Sequence, residues 1–293
     1  MRGNNSMNNK KNKRQNNKQI TKIEDLNWKQ INKLNRKKTI FYQPISPLEI
    51  HGPHLPIGTD LFTSKDTAAE AIKKLQEKKP ELNYILLPAI PIGYCKFATD
   101  FPGSISINSK TVRDVIYSVG SSLAEHDFRY LIICTYHMAI PHLKGIYQAM
   151  KKLQKKYNMK ICEPWGPYFY SDKIEKNEPK LGFDTSKEMH AGFRETSLMK
   201  YQYPYLVDES YKNLQNIYRD LNSPRVIGKK FKDLGLKDGY VGSPSKADVN
   251  YGRWFFNETV KVYVKSTLDL YDGKKQDELP KKIKAAMKAL FWS

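Results

Sequence analysis

The chain has 293 residues, 40% of them hydrophobic and 12% aromatic, enough for one large α/β domain with a buried core. No apolar run approaches the roughly 18 residues that span a bilayer, and the N-terminus lacks the apolar stretch of a secretory signal. The three cysteines, Cys95, Cys134 and Cys162, are widely spaced and outside any CxxC, which speaks against a disulfide framework or a thiolate zinc site and for free thiols in a cytoplasmic protein.

The formal charge of +20 is unevenly spread. Residues 1–38 hold twelve Lys or Arg against Glu24 and Asp25. Residues 1–20 read as a disordered basic tail of Asn, Lys, Arg and Gln, too polar to fold, and residues 21–293 as the domain. The remaining excess is largely Lys on amphipathic helices such as 142–157 and 275–289. Aromatic and Arg residues are not interleaved as on a base-stacking surface, so neither nucleic acid nor a membrane is an expected partner.

In chain order, the apolar rhythm of Ile23 to Leu34 suggests a helix. Thr39–Pro44 is a short apolar run fit for a buried strand. Phe62 to Gln76 reads as an amphipathic helix with Thr63 or Ser64 as N-cap. Strand 84–88 leads into a Pro/Gly loop, and helix 109–125 into the apolar run Arg129–Thr135. A helix over 142–157 and a strand over 159–162 follow. Strands alternating with helices of this length predict βαβ units and a mostly parallel sheet in a three-layer α/β/α fold. Residues 171–190 and 220–250 read as long polar connections.

The polar clusters fall after strands, where parallel sheets bind ligands. The loop Glu49-Ile-His51-Gly-Pro-His54-Leu-Pro-Ile-Gly-Thr-Asp60 packs two carboxylates and two imidazoles among turn-forming glycines and prolines. Glu49 and His51 point to one face of an extended segment, and Asp60 returns after a turn. Carboxylate oxygen with imidazole nitrogen suits Zn²⁺ or Mn²⁺. His137 follows the strand 129–135. A third cluster, His190-Ala-Gly-Phe-Arg-Glu195-Thr-Ser, can bring His190 and Glu195 to one point across a glycine. His126 and His142 lack clustered partners and read as surface residues.

Together these segments resemble the creatininase (creatinine amidohydrolase) family. The match runs in order from about residue 23 to 270. It is carried by Asp25-Leu-Asn-Trp28, Pro44 through Asp60, Pro91-Ile-Gly93, Phe101-Pro-Gly-Ser-Ile105, His190-Ala-Gly192, Glu195-Thr-Ser197, Gly239 through Ala247, and Gly252-Arg253. The resemblance implies a single-domain α/β/α fold and a hydrolase of amide C–N bonds with two divalent ions per chain (Zn or Mn, with Fe also admissible), often assembled as a hexamer. Position by position, Glu49 matches a carboxylate of the first metal, His51 an imidazole of the second, Asp60 the bridging carboxylate, and His137 and Glu195 the remaining ligands. His190 falls where the family keeps a catalytic histidine. His54 is expected either to orient a ligand or to hydrogen-bond the loop.

The chain departs from the family beside those residues. The family's Asn-Gly-His-Gly-Gly-Asn is here Thr135-Tyr-His137-Met-Ala-Ile140, and Ala139 stands where creatininase proper has a Glu. Phe193 replaces the Glu of His-Ala-Gly-Glu. We therefore expect Met138, Ile140 and Phe193 to line a more apolar mouth, with Trp165 or Tyr168 as a stacking face. The expected substrate is a small non-peptide amide, cyclic amide or formamide rather than creatinine. Its carbonyl carbon would be attacked by a metal-bridging hydroxide, with His190 carrying the proton to the leaving nitrogen. The rival expectation is a catalytically inactive scaffold that retains metal.

Overall fold

The computed structural model describes residues 19–221, 226 and 228–290; most of the basic tail lies outside them. Five parallel strands form one sheet in the order β1-β3-β2-β4-β5: β1 Thr21–Lys22, β2 Thr39–Pro44, β3 Asn83–Leu86, β4 Tyr130–Cys134 and β5 Lys160–Cys162. The helices are α1 Trp28–Asn32, α2 Thr59–Lys78, α3 Ser109–Glu125, α4 Ile140–Tyr157, α5 Trp165–Phe169, α6 Lys173–Asn177, α7 Phe193–Gln202, α8 Val249–Tyr271 and α9 Lys281–Ala289.

The strands alternate strictly, as period-2 geometry demands. Ile40, Tyr42, Ile132 and Cys134 face one way, into a core shared with α2 and α8. Phe41, Leu131, Ile133 and Ile161 face the other, onto residues of α3, α4 and α9. Helices thus cover both faces, giving the three layers expected. All three cysteines are buried free thiols.

Several elements differ from expectation. The segment 23–34 is broken into a 3-10 turn at Ile23–Asp25 and the five-residue α1. Asn27 and Gln30 cap α1 reciprocally, while Trp28 stays 72% exposed. Helix α2 starts three residues earlier than predicted, so Gly58 is its N-cap. Thr63 and Ser64 instead return their hydroxyls to the carbonyls of Thr59 and Asp60. The 171–190 connection contains α6. The long α8 was not foreseen in the sequence; Asp248 caps it by accepting from Tyr251 N at 2.8 Å. Gly252 lets it close on α7, since a Cβ there would meet the Ser197 carbonyl oxygen at 2.0 Å.

Sheet order positions the site. From β2 the chain moves outward through α2 to β3, and from β4 it moves the opposite way through α4 to β5. The order reverses between β2 and β4, and a crevice opens at such a switch point beyond the carboxyl ends of the strands. The 45–58 loop follows β2, and His137 follows β4.

Candidate active site

The 45–58 loop is a closed turn. Glu49 N donates to Ile57 O at 2.9 Å, and His51 bridges to Leu55. Gly52 sits at φ +67°, where a Cβ would lie 2.7 Å from His54 Nδ1, so this reversal needs glycine. Asp60 lies in the first turn of α2, where the helix dipole favours a carboxylate.

These pieces bring Glu49, His51, Asp60, His137, His190 and Glu195 together. Asp60 reaches in two directions. Its Oδ1 lies 3.3 Å from His51 Nε2, and its Oδ2 lies 3.0 Å from His137 Nδ1. Glu49 Oε2 approaches His137 Nδ1 to 2.9 Å, and Glu195 Oε2 stands 3.8 Å from His51 Nε2. Two trios emerge whose ligand-type atoms lie within 4.8 Å of one another: Glu49, Asp60, His137 and His51, His190, Glu195. The sequence reading gave His190 to proton transfer; geometry sets it beside the candidate ligands.

Backbone carbonyls fix how each ring is presented. His51 Nδ1 donates to Glu49 O at 3.0 Å, His137 Nε2 to Tyr94 O at 2.8 Å and His190 Nε2 to Ile50 O at 2.7 Å. A carbonyl holding one ring nitrogen leaves the other as a lone pair, the arrangement of metal-ligating imidazoles. Glu195 accepts a short hydrogen bond from Ala191 N, and Ala191 itself takes φ +49°.

The charges are heavily coupled. Burial disfavours a proton on His51, yet Asp60, Glu195 and Glu49 outweigh it and lift the ring to about 10. His137 is likewise lifted to about 10 by Glu49 and Asp60 in spite of burial. Asp60 is held far below the usual carboxylate range by His51 and His137, although burial alone would raise it. Burial pushes Glu195 up to about 7, against the pull of His51, and burial beside His51 holds His190 down at about 4. Three carboxylates around these imidazoles demand positive charge, which a divalent cation supplies.

The donor set fits such an ion. Both carboxylate oxygens of Glu49 and His51 Nε2 are buried without a hydrogen-bond partner. Orphaned buried groups of this kind cost about 1–3 kcal/mol each, more when charged, so their convergence calls for a common ligand.

Supporting residues lie behind them. His54 Nε2 pairs with Thr196 Oγ1 at 2.8 Å, so of its two expected roles the structure displays the hydrogen bond, joining the loop to the turn of α7 that carries Glu195. His142 is fully buried rather than on the surface. Its ring packs edge-on against His137 at 5.2 Å, Nε2 pairs with Thr135 Oγ1 at 3.2 Å and Nδ1 accepts from Tyr94 N at 3.4 Å. The signal for it was its place just after Pro141 at the start of α4. Tyr94 gave no sequence signal, because it acts through its backbone.

A cavity of about 860 Å³ opens over the centre. Met138, Ala139 and Ile140 line it, as do Phe97 and Phe231. Phe193 and Trp165, expected at the mouth, do not line it: both are fully buried. Phe193 packs on Phe183 and Tyr251, with ring centroids 4.9 and 4.3 Å away. Trp165 stacks between Tyr136 and Tyr168 at 5.9 and 5.5 Å. Tyr168 is also core. The apolar wall is built instead from the 94–97 segment, Val226, Phe231 and Leu234, and from α9.

Comparison with known proteins bears on this geometry. The profile of the creatininase family, described as creatinine amidohydrolase, matches residues 24–267. The creatinine amidohydrolase of Pseudomonas putida is 25% identical over 202 residues, covering 64% of this chain and 73% of that one. A creatininase structure in a manganese form superposes with TM-score 0.67 at 20% identity, covering 86% of this chain and 99% of that one. A zinc–zinc form of a creatininase variant gives 0.67 at 18% identity, with coverage of 86% and 99%.

Proposed function

Since the chain belongs to the creatininase family of amidohydrolases, we propose that it hydrolyses the C–N bond of a non-peptide amide, cyclic amide or formamide with two divalent ions, Zn or Mn. The observation that carries this reading is the pair of trios joined through the two oxygens of Asp60.

Glu49, Asp60 and His137 would hold one ion, and His51, Asp60 and Glu195 the other. Bound there, the ions supply Lewis-acid polarisation of the amide carbonyl and acidify a water toward neutral pH. The remaining work belongs to the chain. His190 gives Nε2 to the Ile50 carbonyl and keeps Nδ1 for moving a proton to the leaving nitrogen. Phe97 lies parallel to the His137 ring at 6.1 Å, and Phe231 packs on His190 at 5.3 Å. These rings cover one side of each imidazole. Met138 and Ile140 offer an amide's flank about 1.5–3 kcal/mol of apolar burial each and give a polar flank no partner, which disfavours creatinine. A homo-oligomer, a hexamer by family resemblance, belongs to the same proposal.

The test is metal analysis of purified protein joined to a hydrolysis screen over lactams, formamides and short peptides. We expect about two equivalents of Zn or Mn and turnover of an amide or formamide that chelation abolishes and either ion restores. Less than half an equivalent after growth in metal-replete medium would overturn the two-metal reading.

A further inference from the structure

The cavity is far larger than a single small ring requires. At about 860 Å³ it stands near the top of the roughly 300–1,000 Å³ range of pockets that enclose drug-sized ligands. It runs from Asp60, His137, His190 and Glu195 out to Ala286 and Leu290 of the C-terminal segment. Among the described residues, its charged lining consists of two carboxylates and three cations. The only lining carboxylates among the described residues are Asp60 and Glu195, at the candidate metal centre, and the lining cations are Lys96, Lys229 and Lys230.

Those lysines are placed by the same residues that cover the imidazoles. Phe97 lies over His137 and Phe231 over His190, and the two phenyl rings meet at 5.1 Å. Phe231 N donates to Phe97 O at 2.8 Å, tying the two segments together. Lys96 and Lys230 each immediately precede one of these rings in the chain, and Lys229 precedes Lys230. None of the three ammonium groups has a carboxylate partner among the described residues, whereas many other surface lysines here do. Unpartnered cations that line an apolar chamber attract an anion and focus its approach.

We propose that the substrate of this centre is an amide bearing an extended apolar or aromatic arm that ends in an anionic group, carboxylate or phosphate. The scissile amide sits over the two trios, the arm runs between the Phe97–Phe231 wall and Ala286, and the anion meets Lys96, Lys229 and Lys230. This rests on the hydrolase reading above but is tested separately from it.

The probes are N-formyl-4-phenylbutylamine and its para-carboxylate, para-phosphate and para-aminomethyl derivatives, with N-methylformamide as the armless control. Calorimetry on the metal-replete protein reads affinity without turnover. We expect both anionic arms to bind at least about tenfold tighter than the neutral arm and the aminomethyl arm more weakly. Preference between the two anions decides carboxylate against phosphate. In the Lys96→Gln/Lys229→Gln/Lys230→Gln variant the anionic-to-neutral ratio should fall toward one, and salt should weaken the wild-type preference. Equal affinity for all arms, preference for the amine, or a ratio that survives the lysine replacements would overturn the proposal. Hydrolysis of the same compounds separates the two readings. Selective binding without turnover keeps the anionic arm and removes the hydrolase, while turnover without selectivity does the reverse.

Discussion

The backbone carbonyl of Tyr94 accepts the Nε2 proton of His137 at 2.8 Å, and this one bond decides which nitrogen His137 turns toward Glu49 and Asp60. The loop before β4's partner helix thereby controls a candidate ligand it never contacts through a side chain. Gly93 is what allows the carbonyl to sit there. A Cβ at Gly93 would lie 2.7 Å from Pro47 Cδ and 2.8 Å from His142 Nδ1. Gly93→Ala should therefore shift Tyr94 and loosen metal binding by about 10–100-fold, the usual effect of disturbing a ligand's outer partner. Competition with a chelator of known affinity measures it; unchanged retention would refute the assignment.

Asp60 and Glu195 should differ in what they cost. Asp60 faces both trios, through Oδ1 toward His51 and Oδ2 toward His137, whereas Glu195 faces only the His51 side. Asp60→Ala should lose both ions and Glu195→Gln about one of two. Mass-spectrometric metal content per folded chain decides this, and equal losses in the two variants would show that Asp60 is not shared.

A carboxylate outside the site should govern pH-dependent stability. Glu163 is buried and accepts from Trp165 N at 2.8 Å and Gly166 N at 2.9 Å. Burial nevertheless pushes its carboxyl from the usual 4.5 up to about 7. With the folded value above the unfolded one, its contribution is complete below about pH 4.5 and is lost as pH rises through about 7. The loss is about 3.5 kcal/mol at most, at about 1.4 kcal/mol per pH unit. Denaturant unfolding of wild type and Glu163→Gln across pH 4–8 should show wild type losing stability relative to the variant as pH rises. A pH-independent difference would show that burial does not raise the Glu163 carboxyl.

Strands β2 to β5, helix α3 and the three-layer architecture were legible because each rests on local periodicity and on strand–helix alternation. Glu49, His51 and Asp60 were legible because turn-forming glycines and prolines lie between them, His137 because it follows a strand, and His190 and Glu195 because they flank a glycine. What failed depended on rotation or on packing partners. Phe193 is next to Gly192 in the chain and was expected at the mouth, but Phe193 and Glu195 are two residues apart on one helix, about 200° around its axis. If Glu195 faces the centre, Phe193 must face α8. His142 was misjudged for the related reason that a helix face has no address until the helix is docked. Tyr94 was invisible because it acts through its carbonyl; a helix over 275–289 was legible, but not the place of α9 at the cavity wall, because tertiary packing brings it there.

Gly252 of α8 packs directly against the Ser197 carbonyl of α7. Because Glu195 rides on the first turn of that helix, the depth to which α8 nests against α7 sets how far this carboxylate reaches toward His51. The two halves of the ligand set thus answer to different mechanical supports: Asp60 to the stem of α2 on the sheet, Glu195 to a seam between two helices. Sequence drift in that seam would retune the surroundings of the His51 trio while leaving those of the Glu49 trio untouched, so chains sharing all six of these side chains can differ in the site through residues that belong to neither trio.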